Sequence, residues 1–295
     1  MISIIIPVYK KIEMFLKNFE TNYPFIKDEE IIIVNDDPEI SIIEYLKNYS
    51  SITLIENEIN LGFAGAVHKG ALSATRNFLM FLNTDVILFD KTYEKAVAQF
   101  KSNPQLFAVS FAQKEKDISI GGRKKLFWKD GFIQHARAEK EESGITAWAD
   151  CGSCMIDKEK YLKIGGLDTI YSPFYWEDVD LGYNAWKEGY IIQFDREIIV
   201  EHHHESTIQT FFKKQFITQI SFRNQLLFIW KNITDSIFLR EHSKQLCIFL
   251  FKQTCKGTFL YLFAFFDALI IKYRIKHSTT IVKSDKEILS LFITL

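Results

Sequence analysis

Phe78-Leu79-Met80-Phe81-Leu82-Asn83-Thr84-Asp85 is the stretch on which the fold turns. Its apolar part is too short for a helix and too evenly apolar for a strand with one wet face, so it reads as a strand buried on both sides. The run then breaks on two polar side chains and a carboxylate. Ile4 to Ile6, Ile31 to Val34 and Ile52 to Ile55 have the same character, and helix-like segments near residues 11–20, 39–49 and 64–76 lie between them. Strand, helix and strand repeated in this way predict an α/β fold built on a mostly parallel sheet with helices on both faces.

In such sheets ligands gather beyond the carboxyl ends of the strands, so the residues just after each apolar run matter most. Here they are Pro7-Val8-Tyr9, Asn35-Asp36-Asp37, Glu56-Asn57 and Asn83-Thr84-Asp85. A carboxylate at Asp85 suits a hard cation such as Mg²⁺ or Mn²⁺ held against a diphosphate, although an Asx turn after a strand explains the same residues. Asn35-Asp36 suits hydrogen bonding to a base or ribose, and Asp37-Pro38 equally suits the opening of a helix. Asn60-Leu61-Gly62-Phe63-Ala64-Gly65 runs from a turn into a helix. It lacks both the dinucleotide-fold glycine spacing and the Gly-Lys-Ser/Thr of a P-loop, and it follows the third strand, not the first.

Further on, Phe174-Tyr175-Trp176-Glu177-Asp178-Val179-Asp180-Leu181-Gly182 sets three carboxylates among aromatics ahead of a helical pattern that stops at Gly189. A helix starting near Glu177 places the acids in its first turn, where the dipole favours negative charge by roughly 0.3–1 kcal/mol each. Asp178 is then expected to be ionised at a helix mouth. Plain capping, with Trp176 in the core, accounts for the same residues. Tyr190 to Phe194 and Ile198 to Val200 read as strands that carry the chain to His202-His203-His204; alternation sends His202 and His204 one way and His203 the other. Neutral imidazoles are common metal ligands, and an exposed histidine cluster on a loop is the plainer alternative. Residues 113–148 show no regular pattern and read as a loop-rich insertion on the acceptor side.

The 295 residues suffice for one large or two small domains, and the formal net charge of −1 gives no bias toward nucleic acid. The charge is unevenly spread: residues 208–277 hold eleven Lys or Arg against three Asp or Glu. This basic, aromatic-rich tail has helical patterning, and its longest uncharged run, the ten residues from Gly257 to Phe266, is well short of a bilayer span. Helices lying in a membrane interface are expected, with a helical core or oligomer interface as the alternative. Four cysteines make no disulfide scaffold, and Cys151-Gly-Ser-Cys154 reads as small residues packed in a turn. The opening Ile2-Ser3-Ile4-Ile5-Ile6 lacks the marks of a signal peptide and reads as a strand, giving a cytoplasmic expectation, peripheral at the inner face of the cell membrane.

Taken in order, these motifs resemble glycosyltransferase family 2 of the GT-A fold, in particular its bacterial rhamnosyltransferase-like members. The resemblance covers about residues 1–230. It rests on Ile4-Ile5-Ile6-Pro7-Val8-Tyr9, Ile32-Ile33-Val34-Asn35-Asp36-Asp37, Asn60-Leu61-Gly62-Phe63-Ala64-Gly65, Asn83-Thr84-Asp85, Gly165-Gly166-Leu167-Asp168, Trp176-Glu177-Asp178-Val179-Asp180-Leu181 and the histidines. It implies a GT-A, Rossmann-like catalytic domain over 1–207, followed by a helical region over 208–295. The implied activity is metal-dependent, inverting transfer of a sugar from a UDP- or dTDP-linked donor to a hydroxyl of a glycan or lipid-linked acceptor, in bacterial surface polysaccharide synthesis. Asp178 would be the general base. Pro7, Tyr9, Asn35, Asp36, Asn60, Gly62, Asn83 and Asp85 would bind the donor, and Trp176 and Glu177 would face the acceptor. Asp85 would hold Mn²⁺ or Mg²⁺ with His202 and His204, with Asn83 standing where the family's metal motif has its first acid. Two rivals are weighed: a scaffold of a polysaccharide-assembly complex that binds sugar nucleotide without turnover, and a nucleotidyltransferase. Asp85 and Asp178 are both present, against the first, and Pro7-Val8-Tyr9-Lys10 is not a phosphate loop, against the second.

Overall fold

The computed structural model describes residues 1–49, 51–115, 119–202, 210–277, 280–293 and 295. The strands are β1 (Ile2–Val8), β2 (Glu30–Asn35), β3 (Ile52–Glu56), β4 (Phe78–Leu82), β5 (Val86–Leu88), β6 (Leu106–Lys114), β7 (Ile120–Gly121), β8 (Lys124–Lys129), β9 (Phe132–Arg137), β10 (Gly144–Ile145), β11 (Ser153–Asp157) and β12 (Ile191–His202). The helices are α1 (Ile12–Ile26), α2 (Ile43–Leu46), α3 (Gly62–Ser73), α4 (Glu94–Ser102), α5 (Lys158–Lys163), α6 (Glu177–Lys187), α7 (Lys214–Asn232), α8 (Ser236–Cys255), α9 (Leu260–Ile271) and α10 (Asp285–Ser290).

The main sheet runs β10-β12-β6-β11-β4-β1-β2-β3. Strands β4, β1, β2 and β3 are parallel, as are β6 and β12; β11 is antiparallel between β4 and β6. Period-two alternation divides the apolar residues between two faces. Ile4, Ile6, Ile31, Ile33, Met80 and Leu82 pack with Phe15 and Phe19 of α1 and Val97 and Phe100 of α4. Ile5, Ile32, Val34, Leu79 and Phe81 pack with Ala66, Val67 and Ala71 of α3 and with α6 and α7. Gly70 is what lets α3 lie so close, because a Cβ there would meet Ile5 Cγ2 at 2.7 Å.

Two stretches differ from the sequence reading. Residues 113–148 are not loop-rich: β8 and β9 form a separate antiparallel hairpin, and β10 adds to the edge of the main sheet. The tail helices cover part of this hairpin, with Trp128 stacked on Phe238 and Phe132 against Phe222 and Phe249, which removes the simple wet/dry alternation that a strand search relies on. The two short strands expected at 190–194 and 198–200 are one strand, β12, whose register shifts between Asp195 and Ile199.

The tail shares the main core. Phe228 of α7 meets Trp176 at 5.2 Å and Tyr183 at 5.3 Å between ring centroids. Lys231 is ion-paired to Asp168 and Asp180, both at 2.7 Å, and α10 brings buried Asp285 to Lys187 at 2.7 Å and to Tyr183 Oη at 2.7 Å. The boundary expected between 207 and 208 lies outside the described residues. Cys151 and Cys154 are free and buried; Cys151 sits in the turn before β11 and Cys154 within that strand. Among the described residues, no helix is long and apolar enough to cross a membrane.

Candidate active site

A cavity of about 480 Å³ opens beyond the carboxyl ends of β1, β2 and β4. Register brings those ends together: Val8 pairs with Asn35, Ile5 with Phe81, and the Asp36 amide donates to Val8 O at 2.8 Å. Pro7, Tyr9, Asp36, Asn60, Gly62, Asn83, Asp85, Glu177, Asp178 and His202 all line the cavity. Asn35 and Trp176 do not. The Asn35 side chain is consumed by its own turn, donating to Ile40 O at 2.7 Å and accepting from the Asp37 amide at 3.2 Å. Trp176 is buried in the core between His135 and Phe228. His204 lies outside the described residues, as does His203.

At the carboxyl end of β2, Asp36 is part of a network that joins β2 to the start of α3. Its Oδ1 accepts from the Leu61 amide and from Asn57 Nδ2, both at 2.8 Å, and Asn60 Nδ2 donates to its carbonyl at 3.1 Å. Burial pushes the Asp36 carboxyl up, opposed by those hydrogen bonds. Gly62, at φ +72°, makes the turn into α3; a Cβ there would meet Ser172 Oγ at 3.3 Å, so the glycine brings the helix start against the loop that carries the acids.

On the opposite wall, Asp85 Oδ1 and His202 Nε2 approach to 3.4 Å. The other imidazole nitrogen, Nδ1, is 3.1 Å from Gln113 Oε1, and Gln113 Nε2 donates to Asp150 Oδ2 at 2.9 Å and Ser153 Oγ at 3.0 Å. Burial would lower the His202 pKa, but the hydrogen bond and charge of Asp85, with Asp150 behind it, raise it overall. Burial pushes Asp150 up, yet Lys124, His202, Gln113 and the Gly152 amide carry it below the ordinary carboxylate range. Among the described residues no group of three or more His, Cys, Asp or Glu side chains is arranged to hold a metal ion. Asp85 and His202 nonetheless fit a divalent cation of the kind that takes its remaining ligands from diphosphate oxygens and water. An imidazole fixed through its second nitrogen is how metal-binding histidines are usually oriented.

The three acids of α6 separate into two jobs. Asp180 turns into the protein, accepting from Tyr171 Oη at 2.8 Å, Asn232 Nδ2 at 2.6 Å and Lys231 Nζ at 2.7 Å. Glu177 and Asp178 face the cavity. The loop leading to them holds Tyr175 and Trp176 at φ +71° and +79°. Left-handed backbone at two aromatic residues costs on the order of 1–3 kcal/mol each and has to be held by surrounding structure. Asp178 opens to the cavity while being enclosed by protein, and burial together with the charge of Asp150 pushes its carboxyl up to about 7. Burial and the neighbouring Asp178 push Glu177 up to about 8, and its Oε2 has no hydrogen-bond partner among the described residues. Against the sequence-based expectation of an acid held ionised by the helix, desolvation and a second buried carboxylate raise the Asp178 carboxyl by more than the dipole of one helix turn lowers it.

Asp150 and Phe212 also line the cavity and were not expected there from the sequence, and so do Phe174 and Tyr175, which stand in the acidic stretch but were given no role. Asp150 escapes a search of strand ends because it precedes its strand. β11 runs antiparallel, so its amino end reaches the site.

The architecture is that of the GT-A glycosyltransferases. The fold matches GalNAc-T7 with UDP, GalNAc and Mn²⁺ at a TM-score of 0.60 and 15% identity, over 78% of this chain and 47% of that one. It matches the Pyrobaculum calidifontis mannosyltransferase PcManGT, in complex with GDP-Man and Mn²⁺, at 0.52 and 11% identity, over 92% and 86% of the two chains. Residues 3–165 match the sequence profile of Glycosyl transferase family 2, and the chain belongs to that family. An uncharacterized glycosyltransferase of Haemophilus influenzae is 26% identical over 178 residues, 57% of this chain and 57% of its own length. The poly-beta-1,6-N-acetyl-D-glucosamine synthase of Staphylococcus epidermidis is 33% identical over 86 residues, 28% of this chain. That match spans only 21% of the synthase.

Proposed function

We propose that the protein is an inverting, metal-dependent glycosyltransferase that moves a sugar from a nucleotide-sugar donor to a hydroxyl of a glycan or lipid-linked acceptor in bacterial surface polysaccharide synthesis. The observation that carries the proposal is one cavity, at the ends of parallel strands, lined by the paired Asp85 and His202 and by Asp178. Asp178, in its ionised form, takes the proton of the acceptor hydroxyl as that oxygen bonds to the anomeric carbon and the carbon–diphosphate bond breaks. A bound Mn²⁺ or Mg²⁺ at Asp85 and His202 would supply charge neutralisation to the departing diphosphate. Glu177, protonated at neutral pH, is a poor nucleophile and a ready hydrogen-bonding group for a sugar hydroxyl. Asp150 is engaged by Gln113 and the Gly152 amide. A single displacement with inversion is the reading these roles support. Relatives that include a polysaccharide synthase support the pathway.

The test is cleavage and transfer from a panel of UDP-, GDP- and dTDP-sugars with Mn²⁺, comparing the wild type with Asp178→Asn. Loss of turnover by about 10²–10⁴-fold with donor binding retained is expected of a general base. Near-normal turnover in that variant removes Asp178 from the role, and full activity in excess EDTA removes the metal. Retained anomeric configuration in the product removes the single displacement.

The acceptor side of the proposal is a lipid-linked glycan at an anionic membrane surface. On α9 and the residue before it, Phe259, Phe263, Phe266 and Ile270 recur at helical spacing and are 49%, 59%, 51% and 67% exposed. Phe251 of α8 is 72% exposed. Between residues 244 and 276 there are six Lys or Arg and one Asp. An apolar stripe flanked by cations suits aromatic side chains in the acyl boundary and lysines near headgroups. Co-sedimentation with anionic but not neutral vesicles, weakened by salt and by Phe263→Ser/Phe266→Ser, is expected; a chain that stays in solution under every condition overturns this part.

A further inference from the structure

We infer that Asn224, in the middle of α7, is a positioning residue for the proposed base Asp178, an inference that rests on the reading of Asp178 given above. Asn224 is wholly buried and does not itself line the cavity. Its Nδ2 donates to three backbone carbonyls, those of Tyr171 at 2.6 Å, Phe174 at 2.9 Å and Tyr175 at 2.9 Å. Its Oδ1 is held by Arg223, through Nε at 2.9 Å and Nη2 at 2.8 Å, and Arg223 Nη2 also donates to Ser172 O. One side chain therefore gathers the carbonyls of the segment that runs from the end of a short 3-10 turn, Thr169–Tyr171, to Trp176, Glu177 and Asp178.

The chemistry asks for an asparagine. Carbonyl oxygens converging on one point need a donor without a charge of its own, and an amide NH₂ supplies two N–H groups while its oxygen anchors the group elsewhere. An aspartate of the same shape would set oxygen against oxygen, and a leucine would leave three buried acceptors unmade. The loop also holds left-handed backbone at Tyr175 and Trp176, a conformation that aromatic residues do not keep unaided. The peptide unit after Tyr175 thus has its carbonyl fixed by Asn224 and leads directly into the turn from which α6 starts. The direction of the first turn of α6, and with it the place of the Asp178 carboxyl in the cavity, follows from that fixation.

A residue that merely satisfied buried carbonyls would lower stability without regard to Asp178, and a double-mutant cycle separates the two cases. In the full chain with Mn²⁺, hydrolysis of whichever UDP-, GDP- or dTDP-sugar is cleaved best is followed for Asn224→Ala, Asp178→Asn and the double variant. Asn224→Ala is expected to lower kcat by at least about tenfold with the donor KM within about threefold, and to cost less than about twofold once Asp178 is already Asn. Amide hydrogen exchange over residues 171–181 is expected to quicken by about tenfold or more in Asn224→Ala, with β1 to β4 unchanged. Equal losses in both backgrounds, or unchanged exchange over 171–181, overturn the inference. Should Asn224→Ala fail to fold, Arg223→Met releases the amide without deleting it and is judged by the same criteria. Absence of cleavage by the wild type counts against the glycosyltransferase reading alone, and the hydrogen-exchange result then decides the positioning role.

Discussion

Gln113 Oε1 lies 3.1 Å from His202 Nδ1 and so fixes which nitrogen of the imidazole faces Asp85. Orienting partners of this kind are typically worth about 10–100-fold in metal affinity. Gln113→Leu is therefore expected to weaken Mn²⁺-dependent donor binding by that factor while leaving metal-free nucleotide binding unchanged, as titration calorimetry with and without Mn²⁺ would show. His202→Ala should weaken it at least as much. Unchanged Mn²⁺ dependence in both variants would move the metal away from this wall.

The proposed base must lose its proton to act. With the Asp178 carboxyl pushed up to about 7, kcat for sugar transfer should rise with pH and level off above that value. At pH 6 the rate should be roughly a tenth of the plateau. The charge of Asp150 contributes to the upward push, so Asp150→Asn should move the midpoint down. A profile flat from pH 5 to 8 would contradict the assignment.

Burying Glu177 and Asp178 also costs stability, and the sign can be worked out. Both folded-state values lie above the ordinary 4.5 and 3.8, so between about pH 4 and 8 the folded protein binds more protons than the unfolded chain. Stability contributed by this pair is present at low pH and declines as pH rises. Asp178→Asn and Glu177→Gln should therefore raise the melting temperature at pH 8 and change it little at pH 4. A shift of roughly 2–4 °C per kcal/mol is the scale for a chain of this size. Lower melting temperatures at pH 8 in both variants would refute the argument.

Lys231 is the cation between two carboxylates, one of them the buried Asp180, and its own side chain is 8% exposed. Removing one partner of a buried pair leaves an uncompensated charge and typically costs about 3–5 kcal/mol. Lys231→Met should lower the unfolding free energy obtained from urea titration by that much, with Asp180→Asn in the same background restoring part of the loss. A chain ending before α7 should not fold to the native core, because it uncovers Trp176 and Tyr183. Native near-ultraviolet dichroism from such a chain would show that the tail is dispensable.

The residues legible in the sequence are those whose position follows from strand ends. Asp36, Asn83 and Asp85 follow parallel strands, and the structure brings all three to the cavity. Asp150 was missed because an antiparallel strand reverses the rule. Asn35 and Trp176 have the right neighbours in sequence, but a turn carbonyl claims one and the core claims the other. The two short strands read at 190–194 and 198–200 are one strand with a register shift, a feature that leaves no pattern in local composition. The hairpin β8–β9 and the packing of α7 depend on contacts between distant parts of the chain, which periodicity does not encode.

Asn224 gives the order of synthesis a bearing on chemistry. The strands β4 and β11 are both complete once Asp157 has emerged, but the loop before α6 has its carbonyls fixed only after α7 has left the ribosome. A nascent chain is thus able to pair these strands while the loop that carries Glu177 and Asp178 is still unfixed. Domains generally fold in the order they emerge. The turn that starts α6 is therefore completed by residues that are synthesised well after it.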